Sequence, residues 1–267
     1  MPVQFDTQDA VATVTLDRPA ALNALDIDSL RELRAHLVRF QEDDSLRALV
    51  LTGSGDKAFC VGADLKGTRS SPAPYAQAMF RDKASASELG LYIRLMDLSD
   101  LEVWKPMIAA VHGFCLGGGL ELALQCDLRI ASEGAQFGLP EVAVGSIPGV
   151  SGVHRLTRAI ARAPAMQMVM TGGRIDAAQA LRWGLVSETV ARDQLLPRAM
   201  ELAQRIAGNA PLALQSVKKL SLQTAHLSDA QAQELTELHW GALRDTRDRQ
   251  EGRAAFAERR PPHFVGQ

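Results

Sequence analysis

The sequence predicts an α/β fold that ends in a helical region. Three observations lead there. Short runs of β-branched and aliphatic residues alternate with helical stretches up to about residue 193. From about Gln194 four helical stretches follow one another with no strand candidate between them. The 267 residues are 46% hydrophobic and 22% charged, close to a soluble globular average, and a chain of this length buries a core without staples. The expected division is a core over residues 1–193 and a helical region over 194–267.

The elements read in order as follows. Val11-Ala12-Thr13-Val14-Thr15-Leu16 is rich in β-branched residues and reads as a strand, stopped by Asp17-Arg18-Pro19. From Asp26 the period becomes helical, with Leu30, Leu33, Leu37 and Phe40 on one face and Asp26 or Asp28 able to cap the start. Glu42-Asp43-Asp44 ends that helix, and Ala48–Thr52 is a short buried strand. Residues 66–75 are rich in Gly, Ser and Pro and read as a mobile loop. A helical stretch is expected over about 76–101, with Leu91, Leu95 and Leu98 on one side. Met107–Val111 reads as a strand, followed by a glycine cluster and a helical start at Leu120, and Leu128–Ala131 as a further strand. Glycines and prolines between Gly134 and Gly152 suggest a winding loop. The tail helices are expected at 194–207, 212–225, 230–243 and 250–257.

Composition excludes several function classes. The net charge is −2, and the short basic clusters at 244–249 and 259–260 read as solvated helix faces, so no nucleic-acid partner is expected. Cys60, Cys115 and Cys126 form no CxxC, and no histidine pair has ligand spacing, so neither a disulfide framework nor a metal site is expected. The start MPVQFDTQDA lacks the basic and apolar regions of a signal peptide, and no apolar run reaches membrane-spanning length. A reducing, cytoplasmic setting fits best.

Gly53-Ser54-Gly55-Asp56-Lys57-Ala58 matches a dinucleotide-binding glycine pattern, but Phe59-Cys60-Val61-Gly62-Ala63 does not continue as an amphipathic helix. His112, between a strand and the glycine cluster, reads as structural before it reads as a site residue. The informative stretch is Lys105–Ala123, where a buried strand runs into Gly117-Gly118-Gly119 and then into an apolar helix carrying Glu121. A helix start presents backbone N–H groups without intrahelical partners, and glycines let a ligand come close, which suits a developing oxyanion. Taken alone, Glu121 reads equally well as a helix-dipole partner. Glu141 lies 20 residues on, between apolar neighbours after Pro140. Two glutamates in apolar surroundings are candidates for shifted pKa values and acid–base work. The loop Phe59–Leu65 could supply a second N–H donor.

At these residues the sequence resembles the crotonase family, the enoyl-CoA hydratase/isomerase superfamily. The resemblance runs in order through Arg18–Leu25, Ala58–Leu65, Gly117–Asp127, Phe137–Gly149, Leu181–Val186 and Phe256–Pro262. It implies a spiral of ββα units with a C-terminal helical trimerisation region, and a homo-oligomer, either a trimer or a dimer of trimers. It implies an acyl-CoA thioester substrate, an oxyanion hole at the Ala63 and Gly118 amides, and catalytic Glu121 and Glu141. Leu22, Ala63, Asp64, Leu65, Gly117, Gly118 and Pro140 are the implied substrate contacts, with no metal and no cofactor beyond the coenzyme A of the substrate.

Hydratases in that family carry both glutamates, and many isomerases keep only the second. The implied reaction is therefore hydration of a trans-2-enoyl-CoA to a 3-hydroxyacyl-CoA. Alternatives are double-bond isomerisation, carnitinyl-CoA-type dehydration, and hydration of a branched or aromatic enoyl-CoA; a non-catalytic RNA-binding or scaffold role is a reading of another class. Val150-Ser151, Val153-His154 and Leu139 depart from the commonest family pattern beside the expected acyl pocket, and so bear on acyl specificity.

Overall fold

The structure is a computed structural model and describes residues 1–64 and 75–267. The chain opens with a hairpin of β1 (Val3–Gln8) and β2 (Val11–Leu16), antiparallel to each other. After α1 (Ile27–Glu42), β3 (Ala48–Gly53) joins β2 in parallel, and β4 (Ala58–Cys60) begins a second sheet. The short helices α2 (Tyr75–Met79) and α3 (Lys83–Ala86) lead to the next pair: β5 (Met107–Val111) beside β3, and β6 (Phe114–Leu116) beside β4. After α4 (Gly118–Ala123) the pattern recurs, with β7 (Leu128–Ser132) beside β5 and β8 (Gln136–Gly138) beside β6, all parallel. Helices α5 (Gly152–Ala159) and α6 (Arg162–Thr171) follow. Strand β9 (Arg174–Asp176) closes the second sheet antiparallel to β8, and after α7 (Ala177–Trp183), β10 (Glu188–Val190) closes the first, parallel to β7. The successive pairs β3–β4, β5–β6 and β7–β8 each add one strand to each of two sheets and are followed by a helical segment, the ββα repeat implied by the sequence resemblance.

Strand alternation explains the layers. Leu49 and Leu51 face the core that holds Leu30, Leu33, Leu37 and Phe40 of α1. Ala48 and Val50, with Ile108, Ala110 and Ile130, face the other way, onto Leu195, Ala199, Ala203 and Ala207 of α8 (Leu195–Ala207). Both faces of the first sheet are covered, as expected for parallel strands that read as unbroken apolar runs. The remaining helices are α9 (Pro211–Gln223), α10 (Asp229–Arg244) and α11 (Arg247–Glu258). Lys218 ties α9 to the sheet: its Nζ donates to the Lys105 carbonyl at 2.9 Å and pairs with Asp127 Oδ2, also at 2.9 Å. The chain end folds back onto α11, where Asp248 accepts from the Val265 and Gly266 N–H groups at 2.7 and 2.9 Å. Among the described residues no helix is long and apolar enough to cross a membrane.

Several expectations need correction. Asp26, not Asp28, caps α1, accepting from Ser29 N at 2.9 Å. The stretch over 76–101 is not one helix. Gly90 at φ +90° and the capping aspartate Asp82 divide it into α2, α3 and irregular turns, although Leu95 and Leu98 are buried as expected. The helix after the glycine cluster starts at Gly118 rather than Leu120. The winding loop over 134–152 contains β8 and a 3₁₀ turn, Glu141–Val144. Residues 66–74 of the expected loop lie outside the described residues, and Tyr75 already belongs to α2. Gly53–Ala58 runs into β4 rather than a helix, so the dinucleotide pattern lacks its structural context.

Asn23 joins the entry loop to the two sheets. It is buried, accepts from Arg18 N at 2.9 Å, and donates to Ser54 O at 3.0 Å and Ala58 O at 2.8 Å. Asn23→Ala leaves three buried backbone groups without that partner. Stability should fall by about 2–4 kcal/mol, a lost cluster of buried hydrogen bonds, with a lower denaturation midpoint in urea. An unchanged midpoint would show that the loop is held by other contacts.

Candidate functional site

The parallel strands β4, β6 and β8 are neighbours, with Cys60 opposite Cys115 after a register shift in β4 and Cys115 opposite Phe137. Their carboxyl ends therefore release three segments side by side: 61–64, 117–121 and 139–141. Ligand sites in parallel α/β sheets form outside such strand ends. The Gly117 N–H donates to the Gly138 carbonyl at 2.9 Å, which fixes the second segment against the third.

Glycine is required where α4 begins. Gly117 has φ +53° and ψ −131°, a backbone shape that side chains disfavour, and a methyl on it would stand 3.1 Å from Glu141 Oε1. A methyl on Gly119 would meet the Cys60 carbonyl oxygen at 2.1 Å, so α4 lies directly on the end of β4. Gly62 is equally close to Gly118: a methyl there would reach Gly118 N at 2.7 Å. Ala63 follows, bridged to Leu25 through Leu25 N to Gly62 O at 2.8 Å and Asp64 N to Leu25 O at 2.9 Å. Neither the Ala63 nor the Gly118 N–H donates to an acceptor among the described residues.

The two carboxylates occupy different environments. Glu121 is 2% exposed, and its Oε1 accepts three backbone N–H groups, from Val150 at 3.0 Å, Ser151 at 2.8 Å and Gly152 at 2.7 Å. These are the free donors at the start of α5, whose dipole also favours an anion there. Glu141 starts its 3₁₀ turn after Pro140, and its Oε2 is buried without a partner among the described residues. Burial pushes the Glu141 carboxyl above its ordinary value; a backbone N–H at its own position opposes this, and the Glu121 charge adds to the rise. Glu121 thus accepts three amide N–H groups, whereas burial biases Glu141 toward its protonated form.

The remaining candidates are placed as follows. Pro140 sets the turn that carries Glu141, and Gly117 lies against that residue. Asp64 lies beside Ala63, but its carboxylate is held by Arg18 Nη2 at 2.9 Å, which also pairs with Asp26 at 3.2 Å. Leu22 lies away from the glutamates and lines a separate cavity with Pro19, Ser54 and Lys57. Leu65 lies outside the described residues. His112 is fully buried between β5 and β6, and burial pushes its pKa down to about 4, in line with a structural imidazole. Leu139 is buried in the core beneath the third segment. Burial raises the thiols of Cys60 and Cys126 to about 12, so these cysteines are inert core residues. Among the described residues no cluster of three or more metal-ligating side chains occurs.

Two contributors escaped the sequence reading. The amides of 150–152 hold Glu121, and the signal for them was the Gly-Pro-rich approach to a helix start at Gly152. Met96 is buried with its Cε 2.3 Å from where a Gly118 methyl would sit, and no periodic pattern announces it.

Comparison with known proteins gives the same picture. The chain is 44% identical to (E)-benzylidenesuccinyl-CoA hydratase of Thauera aromatica, over 100% of both chains. It is 38% identical to carnitinyl-CoA dehydratase of Proteus mirabilis, over 99% of this chain and 98% of that one. The crystal structure of enoyl-CoA hydratase from Bacillus anthracis superposes with a TM-score of 0.89 at 33% identity, over 100% of both chains. The sequence model of the enoyl-CoA hydratase/isomerase family matches residues 6–267, and the chain belongs to that family.

Proposed function

We propose that the protein adds water reversibly to a trans-2-enoyl-CoA, giving a 3-hydroxyacyl-CoA. The observation that carries this reading is the pair of glutamates in contrasting surroundings, one held by three amides and one buried without a partner on Oε2, beside two backbone donors. The thioester oxygen is held by the Ala63 and Gly118 N–H groups, where charge develops as the double bond is attacked. With Oε1 committed to three amides, Glu121 uses Oε2 to take a proton from water as the water oxygen bonds to C3. The π electrons move through C2 onto the thioester oxygen, and the resulting enolate takes a proton at C2 from Glu141. One proton has then moved from Glu141 to substrate and one from water to Glu121, so the pair carries one proton before and after. The steps balance without a further cofactor, coenzyme A being part of the substrate. The cavity at Leu22, with the Lys57 cation among its lining, suits the coenzyme A end. The named reactions of the relatives, a hydratase and a dehydratase, support water addition or removal over isomerisation.

We propose in addition that the protein works as a homo-oligomer. No residue of α10 is buried, and Leu238 and Trp240 on it are 66% and 58% exposed, while Val144 and Ile147 beside the Glu141 turn are also exposed. An apolar set of this kind is costly in a monomer. Light scattering at micromolar concentration should give a mass near a multiple of three times the 28.8 kDa chain. A stable monomer would refute this.

Glu121→Gln and Glu141→Gln keep the shape but not the proton. Each should lower kcat for crotonyl-CoA hydration by about 10² or more, the usual scale of acid–base catalysis. The double variant should lose less than the product of the two, because groups that act as a unit are not additive. An isomerase would show a mild Glu121→Gln and a severe Glu141→Gln on a 3-enoyl-CoA; an untouched hydration rate in Glu121→Gln would end the two-carboxylate mechanism.

The pH dependence has a definite sign. The pair must hold one proton, and the group that binds it is the one whose pKa is raised. Hydration kcat/KM should therefore fall as the pH rises through the Glu141 pKa, and the residual rate of Glu141→Gln should lack that alkaline limb. The same limb in both proteins would assign it to another group.

A further inference from the structure

The start of α5 contains a serine that does not do what a serine there ordinarily does. An N-cap serine or aspartate accepts the N–H of the second or third helical residue. Asp26, Asp82, Asp176, Ser228 and Thr246 all do so at their helices. Ser151, the N-cap of α5, makes no such bond. Its own N–H and those on either side are turned to Glu121 Oε1 instead. The Ser151 side chain is 5% exposed, and its Oγ is buried with no hydrogen-bond partner among the described residues. A buried hydroxyl left without a partner is costly, so its presence calls for a use. A hydroxyl is both donor and acceptor, and this one is carried by the residue whose own N–H donates to Glu121 Oε1 at 2.8 Å.

We infer that Ser151 is a positioning residue for the reacting water: its hydroxyl holds that water against Glu121 and aims the oxygen at C3. This rests on the hydration reading above. The same oxygen becomes the 3-hydroxyl of the product, so Ser151 serves both directions of the reaction. It takes no part in proton transfer at C2, which belongs to Glu141 and the oxyanion amides.

The split between those two half-reactions supplies the test. Hydration of crotonyl-CoA needs the held water, whereas exchange of the C2 hydrogens of butyryl-CoA with deuterium oxide needs only Glu141 and the amides. Ser151→Ala and Ser151→Gly both remove the hydroxyl and keep the backbone N–H on Glu121. Each should lower hydration kcat about tenfold, the scale of one lost hydrogen bond, while C2 exchange and the KM for crotonyl-CoA stay within about twofold. Equal loss of hydration and exchange, or loss in Ser151→Ala alone, would assign Ser151 a packing role and overturn the inference. Unchanged hydration in both variants would overturn it as well. A native protein that exchanges C2 hydrogens but hydrates nothing would overturn the hydration reading and Ser151's role with it, whereas native hydration with insensitive variants would remove only Ser151.

Discussion

A methyl group on Gly119 would stand 2.1 Å from the Cys60 carbonyl oxygen, and the rest of the site depends on that close approach. The first turn of α4 lies directly on the end of β4 because nothing wider than a hydrogen separates them. The contact brings the Gly118 amide next to Gly62 and hence next to Ala63, although more than 50 residues of chain lie between the two loops. It also sets the axis along which Glu121 leaves α4. Two adjacent parallel strands, β4 and β6, make the approach possible, and the glycines make it tight. Backbone donors placed in this way are fixed by the fold rather than by rotamers, so they need no reorganisation when charge develops.

The same economy governs the buried charge. An unpaired carboxylate in the interior is expensive, and in the described residues no cation is paired with Glu121. Three amides at the start of α5 meet it instead, each at hydrogen-bond distance. Glu141, one segment away, has no comparable set of donors, and burial raises its pKa. Two identical side chains thus lie in different surroundings, and different surroundings are the general route by which a pair of carboxyls divides acid and base work.

Sequence pattern revealed what repeats at helical or strand period and little else. Four of the six strands of the first sheet, β2, β3, β5 and β7, were legible from runs rich in apolar or β-branched residues, whereas the polar β1 and the three-residue β10 were not. The second sheet was not, because β4, β6, β8 and β9 have three residues each, too short for alternation to register. Glu121 and Glu141 stood out as carboxyls among apolar neighbours, and the glycine run as a helix start. The amides of 150–152 did not, since a backbone donor has no residue type. Asp64 could be read as part of a site loop, but its bond to Arg18 depends on a fold that brings residues 46 apart into contact.

Each turn of the spiral contributes one loop to the site, and the loops differ in what they can change. The first two present backbone N–H groups, which most substitutions leave intact, and the second also carries Glu121. The third supplies a side chain, Glu141, and the segment after it supplies the cradle of Glu121 together with the Ser151 hydroxyl. In the reading proposed above, the backbone donors belong to the scaffold loops, whereas the side-chain chemistry comes from Glu121 on α4 and from residues 139–154. That division is consistent with a family whose members carry names as different as benzylidenesuccinyl-CoA hydratase and carnitinyl-CoA dehydratase over nearly the full chain length. The departures at Val150-Ser151, Val153-His154 and Leu139 fall inside that segment, whose 150–152 amides hold Glu121. A change of acyl group in this scaffold is accordingly sought there first.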